Sequence, residues 1–415
     1  MKTHLFILFL IISNFANAQE VNCVEKENQI NASIANKDYK KAFEFFNEAK
    51  TTCTSSSEKI FVLGSQLLQY NIEIAAPQNK EIEVRELIKW YNLFDKNYPN
   101  NQNGNYEKIA MLLYENKVGT SSEIFSFLEL AFEKQINNFT NPQALFNYFD
   151  LYFKKYKSVK STITKDNLLE KYSEVKNLLE SNRLKNPRKA DEYDSALQGM
   201  NYLMKDVLVC DNLTPYAQKN FETNKSNGVW LQSTTQLLYD YCKKSPIFET
   251  LALQLHALKP SSKSAFYLAK LYVNTVNQEK GIGYFIESVS LSNDKIEKAE
   301  AAYVAASILV NSDKEKAKEM LFIAIENNPT SGKNFIFLAN LYANSVNECG
   351  FSDIEIKGTY KLASDTALKA AIVEPRFKPT SEILSKEYLK NVVFDGKSKI
   401  KSVKIGCWIN QTVQF

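Results

Sequence analysis

Apolar residues recur every three to four positions along most of the chain, which is the period of an amphipathic helix. Two such helices run from Lys298 to Asn311 and from Lys314 to Glu326, with a short polar turn between them. Small residues at Ala305, Ala317 and Ala324 allow two antiparallel helices to approach closely. The proline shortly after the second helix cannot continue it and turns the chain into the next pair. The pattern therefore predicts a helical hairpin.

The same pattern returns along the chain. Segments 264–277 and 334–347 lie 70 residues apart and are identical at seven aligned positions, among them Leu268/Leu338 and Tyr272/Tyr342. This separation is about twice a ~34-residue period, which is typical of an internal array. The units begin near Val229, Ser262, Lys298 and Gly332.

In this register the units resemble the tetratricopeptide repeat (TPR). The first-helix positions of that family are filled in order by Phe335, Leu338, Ala339 and Tyr342. Its second-helix positions are filled, after an insertion, by Ala363, Ala367, Ala370 and Pro375. The resemblance is good over about 229–376 and weaker before it. It implies an all-α solenoid of antiparallel helix pairs, a TPR-like right-handed superhelix.

The beginning of the chain has the pattern of a secretory signal peptide. A short positive start precedes the apolar run Leu5–Ile12, and Ala16-Asn-Ala18 is a cleavage signal. No apolar run approaches the ~18 residues that a membrane span requires. We expect cleavage after Ala18 and a soluble exported bacterial protein, periplasmic or extracellular, with no integral membrane segment.

Breaks in the helical pattern suggest four regions. They are a signal peptide at 1–18, degenerate helical repeats at 19–185, TPR-like repeats with a cap helix at 186–391, and a tail at 392–415. The soft boundary at 186–195 begins with Asn186-Pro-Arg188. Within the tail, the β-branched and roughly alternating segment 400–413 predicts a short extended, β-like tail laid on the last repeats.

The net charge, the histidines and the carboxylates argue against nucleic-acid binding and against catalysis. The net charge is +4, and the charges are interspersed, so no nucleic-acid footprint appears. His256 is the only histidine after the signal peptide and the only possible histidine base for a Ser or Cys triad, but it sits on a repeat helix. The carboxylates fall at helix starts or on solvated faces. We predict no catalytic residues, no cofactor and no metal.

The six cysteines are even in number, which in an exported protein favours disulfides over free thiols. Six cysteines allow 15 connectivities, and the TPR-like hairpin narrows them. It brings together Cys23 with Cys53 and Cys210 with Cys242. Cys349, in the inserted loop 347–360, is then left to pin the tail through Cys407. Zinc binding is the alternative, but the chain has no Cys-x-x-Cys motif.

TPR ligands usually lie in the concave groove made by the first helices. The matching positions here are Lys263, Phe266, Lys270 and Asn274 in one unit, and Lys333, Ile336, Asn340 and Asn344 in another. The lysines and asparagines resemble the way in which that family grips the carboxylates and backbone of a peptide. The intervening unit lacks this clamp, because it carries Ala302, Ala306 and Leu309. The alternative is that these are ordinary solvated positions.

The leading hypothesis is a non-catalytic protein-interaction module or scaffold of the bacterial cell envelope, which binds an extended segment of a protein or peptide partner in the groove. The alternative is an exported carbohydrate- or peptidoglycan-binding or -degrading helical-repeat protein. A deep, acidic, aromatic-lined cleft would favour the alternative, whereas a shallow basic groove would favour the scaffold. The sequence leaves the oligomeric state open.

Overall fold

The computed structural model describes residues 22–99, 105–273, 277–394 and 401–415. Most of these residues are helical, and most helices pack against a helix that is close to them in sequence. The chain divides into two compact units, the first ending at Asp206 and the second beginning at Val207. The predicted signal peptide, residues 1–18, lies outside the described residues. No described helix is both long and apolar enough to cross a bilayer.

The first unit consists of helices joined by short connections, so that successive helices are antiparallel neighbours. Its helices are α1 (22–35), α2 (Tyr39–Thr52), α3 (Glu58–Ile74), α4 (Lys80–Asn97), α5 (Asn105–Asn116), α6 (Ser121–Lys134), α7 (Pro142–Lys157), α8 (Lys165–Lys185) and α9 (Ala190–Met204). The sequence interpretation grouped α9 with the repeats that follow residue 186. By its contacts this helix belongs to the first unit.

Aromatic side chains fill the beginning of the first unit. The ring of Trp90 packs edge-on against Phe46, at 5.1 Å between centroids, and its indole nitrogen donates a hydrogen bond to the carbonyl oxygen of Phe61 at 3.0 Å. Gly64 lies between these rings, and a Cβ there would come within 2.5 Å of Phe46. The close approach of α3 to its neighbours therefore requires glycine at this position.

A half-buried carboxylate links α5 to the beginning of α7 further along this unit, and a tyrosine links α9 to the same place. Glu107 on α5 accepts hydrogen bonds from the backbone amides of Thr140 and Asn141, at 2.9 and 3.3 Å, just before α7 begins. The hydroxyl of Tyr193 on α9 donates to the carbonyl oxygen of Thr140 at 2.6 Å. Burial raises the pKa of Glu107, and the two amide hydrogen bonds act against that rise.

The second unit continues the helix pairs and ends with a β-hairpin. Its elements are α10 (Cys210–Asn224), α11 (Gly228–Tyr241), α12 (Phe248–Leu258), α13 (Ser262–Tyr272), α14 (Gln278–Leu291), α15 (Lys295–Leu309), α16 (Lys314–Asn327), α17 (Gly332–Ala343), α18 (Val346–Cys349), α19 (Asp353–Val373), α20 (Lys378–Leu389), β1 (Ser402–Ile405) and β2 (Gln411–Gln414). The pairs are α11/α12, α13/α14, α15/α16 and α17/α19. The fold is the all-α array of TPR-like helix pairs that the sequence predicts.

Small residues bring the helices of each pair together. Ala305, Ala317 and Ala324 are almost fully buried between α15 and α16, with Leu321 beside them. The insertion that precedes α19 was expected to be a loop. It instead contains α18, and α19 begins at Asp353. Only a short bend is left between these two helices.

All six cysteines lie in the described residues, and none is free. The disulfides are Cys23–Cys53, Cys210–Cys242 and Cys349–Cys407, the pairs expected from the repeat hairpins. Their Cα atoms lie 5.5, 5.2 and 5.3 Å apart, within the range that an unstrained disulfide spans. The first two close helix pairs, and the third joins α18 to the hairpin.

The extended, β-like tail is confirmed, and it forms an antiparallel hairpin in which Val403 lies opposite Val413 and Ile405 opposite Gln411. Ile405, Ile409 and Val413 point inward and are at most 4% exposed. Pairing supplies the backbone hydrogen bonds that a lone strand on a helical surface would lack. The hairpin is therefore part of the core of the last repeats.

Contacts from α16, α17 and α19 hold this hairpin. The amine of Lys318 donates to the carbonyl oxygens of Trp408 and Ile409, and Trp408 stacks on Tyr342 with centroids 6.2 Å apart. Gly358 on α19 faces β1, and a Cβ there would come within 2.4 Å of a methyl group of Val403.

We expect loss of the third disulfide to loosen the hairpin. Cys349–Cys407 closes the longest loop of the three, with a sequence separation of 58. In the chain-entropy model the Cys349→Ala/Cys407→Ala variant loses about 4 kcal/mol of stability. Hydrogen exchange of peptides from 401–415 should show the loss, and Cys23→Ala/Cys53→Ala should leave those peptides unchanged. Unaltered protection in the first variant would contradict this role.

Two glycine substitutions should have opposite effects. Gly358→Ala places a methyl group against Val403 and should destabilise the second unit by about 1–3 kcal/mol, since the hairpin must shift. Gly283→Ala lies inside α14 with nothing within 4 Å of the new methyl group, and should stabilise the helix by about 0.5–1 kcal/mol. Denaturant unfolding of both variants measures the difference. Equal effects would show that the contact with β1 is unimportant.

Candidate ligand-binding surface on the first helices of the second unit

The first helices of the pairs contact one another along one face of the second unit. The hydroxyl of Tyr267 on α13 donates to the side-chain oxygen of Gln236 on α11 at 2.6 Å. The ring of Tyr303 on α15 packs edge-on against Phe337 on α17, at 5.5 Å between centroids. We call the surface made by α11, α13, α15 and α17 the first-helix face. Seven of the eight groove residues predicted from the sequence are described, and each belongs to one of these helices or directly follows it.

Two of the predicted residues meet two others in a cluster. Lys270 on α13 places its amine 5.3 Å from the centroid of Phe266. Phe266 packs edge-on against Tyr239 of α11 at 6.2 Å, and the amine of Lys243 lies 4.5 Å from the centroid of Tyr239. We call Tyr239, Lys243, Phe266 and Lys270 the cation–aromatic cluster. The negatively polarised ring faces attract these amines.

The two lysines of the cluster lack an acidic partner. Burial lowers the pKa of Lys270, and the positive charge of Lys243 lowers it further. Within the described part of the chain, no hydrogen bond or ion pair joins either amine to another residue. Asp240 lies close in sequence, but its carboxylate accepts two hydrogen bonds from Gln236 at 3.1 Å. Among the described residues, neither positive charge of the cluster is therefore engaged in a direct ion pair.

Other predicted groove residues are occupied by the fold. The amine of Lys333 pairs with Glu300 at 2.7 Å and lies over the ring of Tyr303 at 4.7 Å. Asn340 accepts a hydrogen bond from the hydroxyl of Tyr388 on α20 at 2.6 Å. These contacts fasten α17 to its neighbours, so the two side chains serve the packing of the array.

The remaining predicted residues are scattered. Ile336 is half-buried on α17, and Asn344 is exposed just after the end of that helix. Lys263 is exposed at the beginning of α13, about 10 Å along the helix from Lys270. Asn274 lies outside the described residues. The structure therefore does not assemble one continuous clamp from the eight positions.

The alanines of α15 explain part of this outcome. Ala302 and Ala306 are fully buried, and Leu309 is 2% exposed. Because the alanines are small, neighbouring helices cover the positions that carry Phe266 and Lys270 in the preceding unit. α15 therefore offers no polar group at these positions.

Two members of the cluster, Tyr239 and Lys243, were missed from the sequence. In their unit the TPR pattern was recognised on the second helix rather than on α11. Lys243 also falls after the end of α11, next to the disulfide-bonded Cys242. The register of α11 could have identified Tyr239, whereas no helical period could have placed Lys243.

His256 is hydrogen-bonded on both ring nitrogens. Its Nδ1 lies 2.9 Å from the hydroxyl of Ser264, and its Nε2 lies 3.2 Å from a carboxylate oxygen of Glu287. The order of residues resembles a catalytic triad, but Ser264 is fully buried and its oxygen already accepts the backbone N–H of Ser261. The series of contacts from Ser261 through Ser264 and His256 to Glu287 caps α13 and joins it to α12 and α14.

Comparisons with known proteins add little to this description. No family model and no curated protein matches the chain. The crystal structure of yeast Tom70 aligns at 12% identity over 88% of this chain and 96% of its own, with a TM-score of 0.28. The structure of Naa15/Naa10 bound to HypK-THB aligns at 14% identity over 96% of this chain and 66% of its own, with a TM-score of 0.25. Similarity this low carries no argument about function.

A lysine without a partner should cost the free protein stability. We expect Lys270→Met to raise the unfolding midpoint, because methionine keeps the apolar contacts with Phe266 and removes a charge that burial disfavours. Lys369→Met, at an exposed position on α19, is the control and should change little. An unfolding midpoint that falls in Lys270→Met would contradict the interpretation.

The pKa of Lys270 gives a second readout. Lys243→Met removes the neighbouring positive charge and should raise the pKa of Lys270 toward its ordinary value. Side-chain NMR titration of the lysine signals measures this change directly.

Proposed function

We propose that this chain is a non-catalytic protein-interaction module whose first-helix face binds an extended acidic segment of a partner protein. The cation–aromatic cluster carries the proposal, because two amines lie against aromatic rings without a carboxylate to balance them. A carboxylate placed between Lys243 and Lys270 would relieve their mutual repulsion and form charge-assisted hydrogen bonds. The rings of Tyr239 and Phe266 would pack against apolar atoms of the same segment.

The character of the cluster favours a peptide over a carbohydrate. Sugar rings bind by stacking on exposed aromatic faces, whereas the faces of Tyr239 and Phe266 carry lysine amines at 4.5 and 5.3 Å. Lysine amines donate hydrogen bonds but cannot accept them from sugar hydroxyls. This basic, aromatic surface therefore supports the scaffold hypothesis rather than a peptidoglycan-binding or -degrading protein.

Export to a bacterial cell envelope completes the proposal. The disulfides Cys23–Cys53, Cys210–Cys242 and Cys349–Cys407 suit an oxidising compartment, in which such bonds persist. The signal-peptide pattern at 1–18 points to the same location. A helix array held by disulfides provides a fixed surface on which a mobile segment of another protein can be held.

A peptide panel tests the proposal. Fluorescent ten-residue peptides containing Glu and Phe would be titrated into residues 19–415, alongside matched peptides with Gln in place of Glu. We expect the acidic peptides to bind and Lys243→Gln/Lys270→Gln to weaken them about tenfold or more, since each charged hydrogen bond contributes about 1.5–3 kcal/mol. Fluorescence anisotropy provides the affinities.

The control is a variant with the same change in net charge elsewhere. Lys369 and Lys386 are exposed and lie outside the cluster, so Lys369→Gln/Lys386→Gln removes two charges without touching it. Equal weakening in both double variants would mean that only the overall charge attracts the peptide. Equal binding of the acidic and neutral peptides would overturn the proposal.

A further inference from the structure

A second candidate site lies apart from the cluster, in a cavity at the N-terminal ends of α13 and α15. Its volume is about 310 Å³. One wall comes from α11, the end of α12 and the beginning of α13. The other comes from the end of α14 and the beginning of α15. The polar and charged side chains that define it are Gln232, Lys259, Lys263, Asn293, Asp294 and Glu297.

The two walls carry opposite charges. Lys259 and Lys263 belong to the α12–α13 wall, and Asp294 and Glu297 belong to the α14–α15 wall. No ion pair crosses the cavity, and the side chains of Lys259, Lys263 and Glu297 have no hydrogen-bonding partner among the described residues. Asp294 differs, because it caps α15 by accepting the backbone N–H of Glu297 at 2.8 Å. The cavity therefore holds opposite charges apart.

The backbone around the cavity is fixed by hydrogen bonds. Ser261 and Ser264 form a reciprocal cap at the beginning of α13. The hydroxyl of Ser288 on α14 donates to the carbonyl oxygen of Ser262 at 2.8 Å, which ties the two helices together. The backbone therefore needs little ordering when a ligand enters, although the exposed side chains of Lys259, Lys263 and Glu297 must still be ordered.

We propose that this cavity binds a short peptide of two or three residues with free ends. Its carboxylate would lie on the side of Lys259 and Lys263, and its ammonium group on the side of Glu297. The amides of Gln232 and Asn293 can each donate and accept, as recognition of a peptide bond requires. At about 3.3–3.6 Å per residue, such a peptide spans a cavity of this size.

Other ligand classes fit less well. A purely anionic ligand would meet Asp294 and Glu297, and a purely cationic ligand would meet the two lysines. A sugar would lack a stacking surface, since Tyr267, the aromatic residue that lines the cavity, is 1% exposed. The combination of both charges with neutral amides is what selects a zwitterion.

Calorimetric titration of residues 19–415 with alanyl-alanine and trialanine tests the inference. Each peptide would also be used with its amine acetylated, with its carboxylate amidated, and with both ends blocked. We expect binding of the free peptides and at least tenfold weaker binding of each singly blocked form. Circular dichroism would confirm that every variant remains folded.

Variants of each wall then test which end of the peptide that wall recognises. Lys259→Gln/Lys263→Gln should weaken the free peptide about tenfold but have little effect on the amidated one. Glu297→Gln should weaken the free peptide but have little effect on the acetylated one, and it keeps the cap because Asp294 accepts a backbone N–H. The charge-matched Lys369→Gln/Lys386→Gln variant should bind the free peptide normally.

Three results would overturn this inference: no binding at millimolar peptide, equal affinity for free and fully blocked peptides, or tighter binding of free alanine than of either peptide. The test is independent of the proposed interaction function. Lys243→Gln/Lys270→Gln should bind alanyl-alanine normally, because Lys270 lies about 10 Å along α13 from Lys263.

Discussion

The close approach of paired helices is the constraint on which the rest of this structure depends. An amphipathic helix must bury its apolar face, and Ala305, Ala317 and Ala324 let α15 and α16 do so against each other. Small residues recur in the other pairs of the second unit, for example at Ala269, Ala339 and Ala363. This packing determines which side chains are exposed on the first-helix face and which are buried by a neighbouring helix.

The sequence predicted those parts of the structure that follow from the three-to-four-residue spacing of apolar positions within a helix. Helix pairs and cysteine pairs follow from residues in one hairpin or in adjacent segments. The groove was harder, because the partners of Lys333 and Asn340 are Glu300 and Tyr388, which lie 33 and 48 residues away. Such partners are invisible to a repeat pattern. Strand pairing in the tail was missed for a related reason, since a four-residue strand carries little periodic signal.

Repeats of one pattern have acquired different roles within the second unit. α13 places Lys263 at a cavity and Lys270 in the cation–aromatic cluster, so its two ends face different chemical surroundings. α15 carries alanines at the corresponding positions and serves packing. α17 has Lys333 and Asn340 at these positions, but both side chains contact neighbouring helices. A match to repeat positions therefore identifies accessible sites only after the tertiary partners are known.

The placement of the hairpin gives the array an order of assembly. Ile405, Ile409 and Val413 complete the core beneath α16, α17 and α19, although they follow all of these helices in the chain. The last helix pair therefore lacks part of its interior until 401–415 has emerged and folded back. This end of the array therefore depends on the hairpin for its core, and the Cys349–Cys407 bond fixes the hairpin in that position.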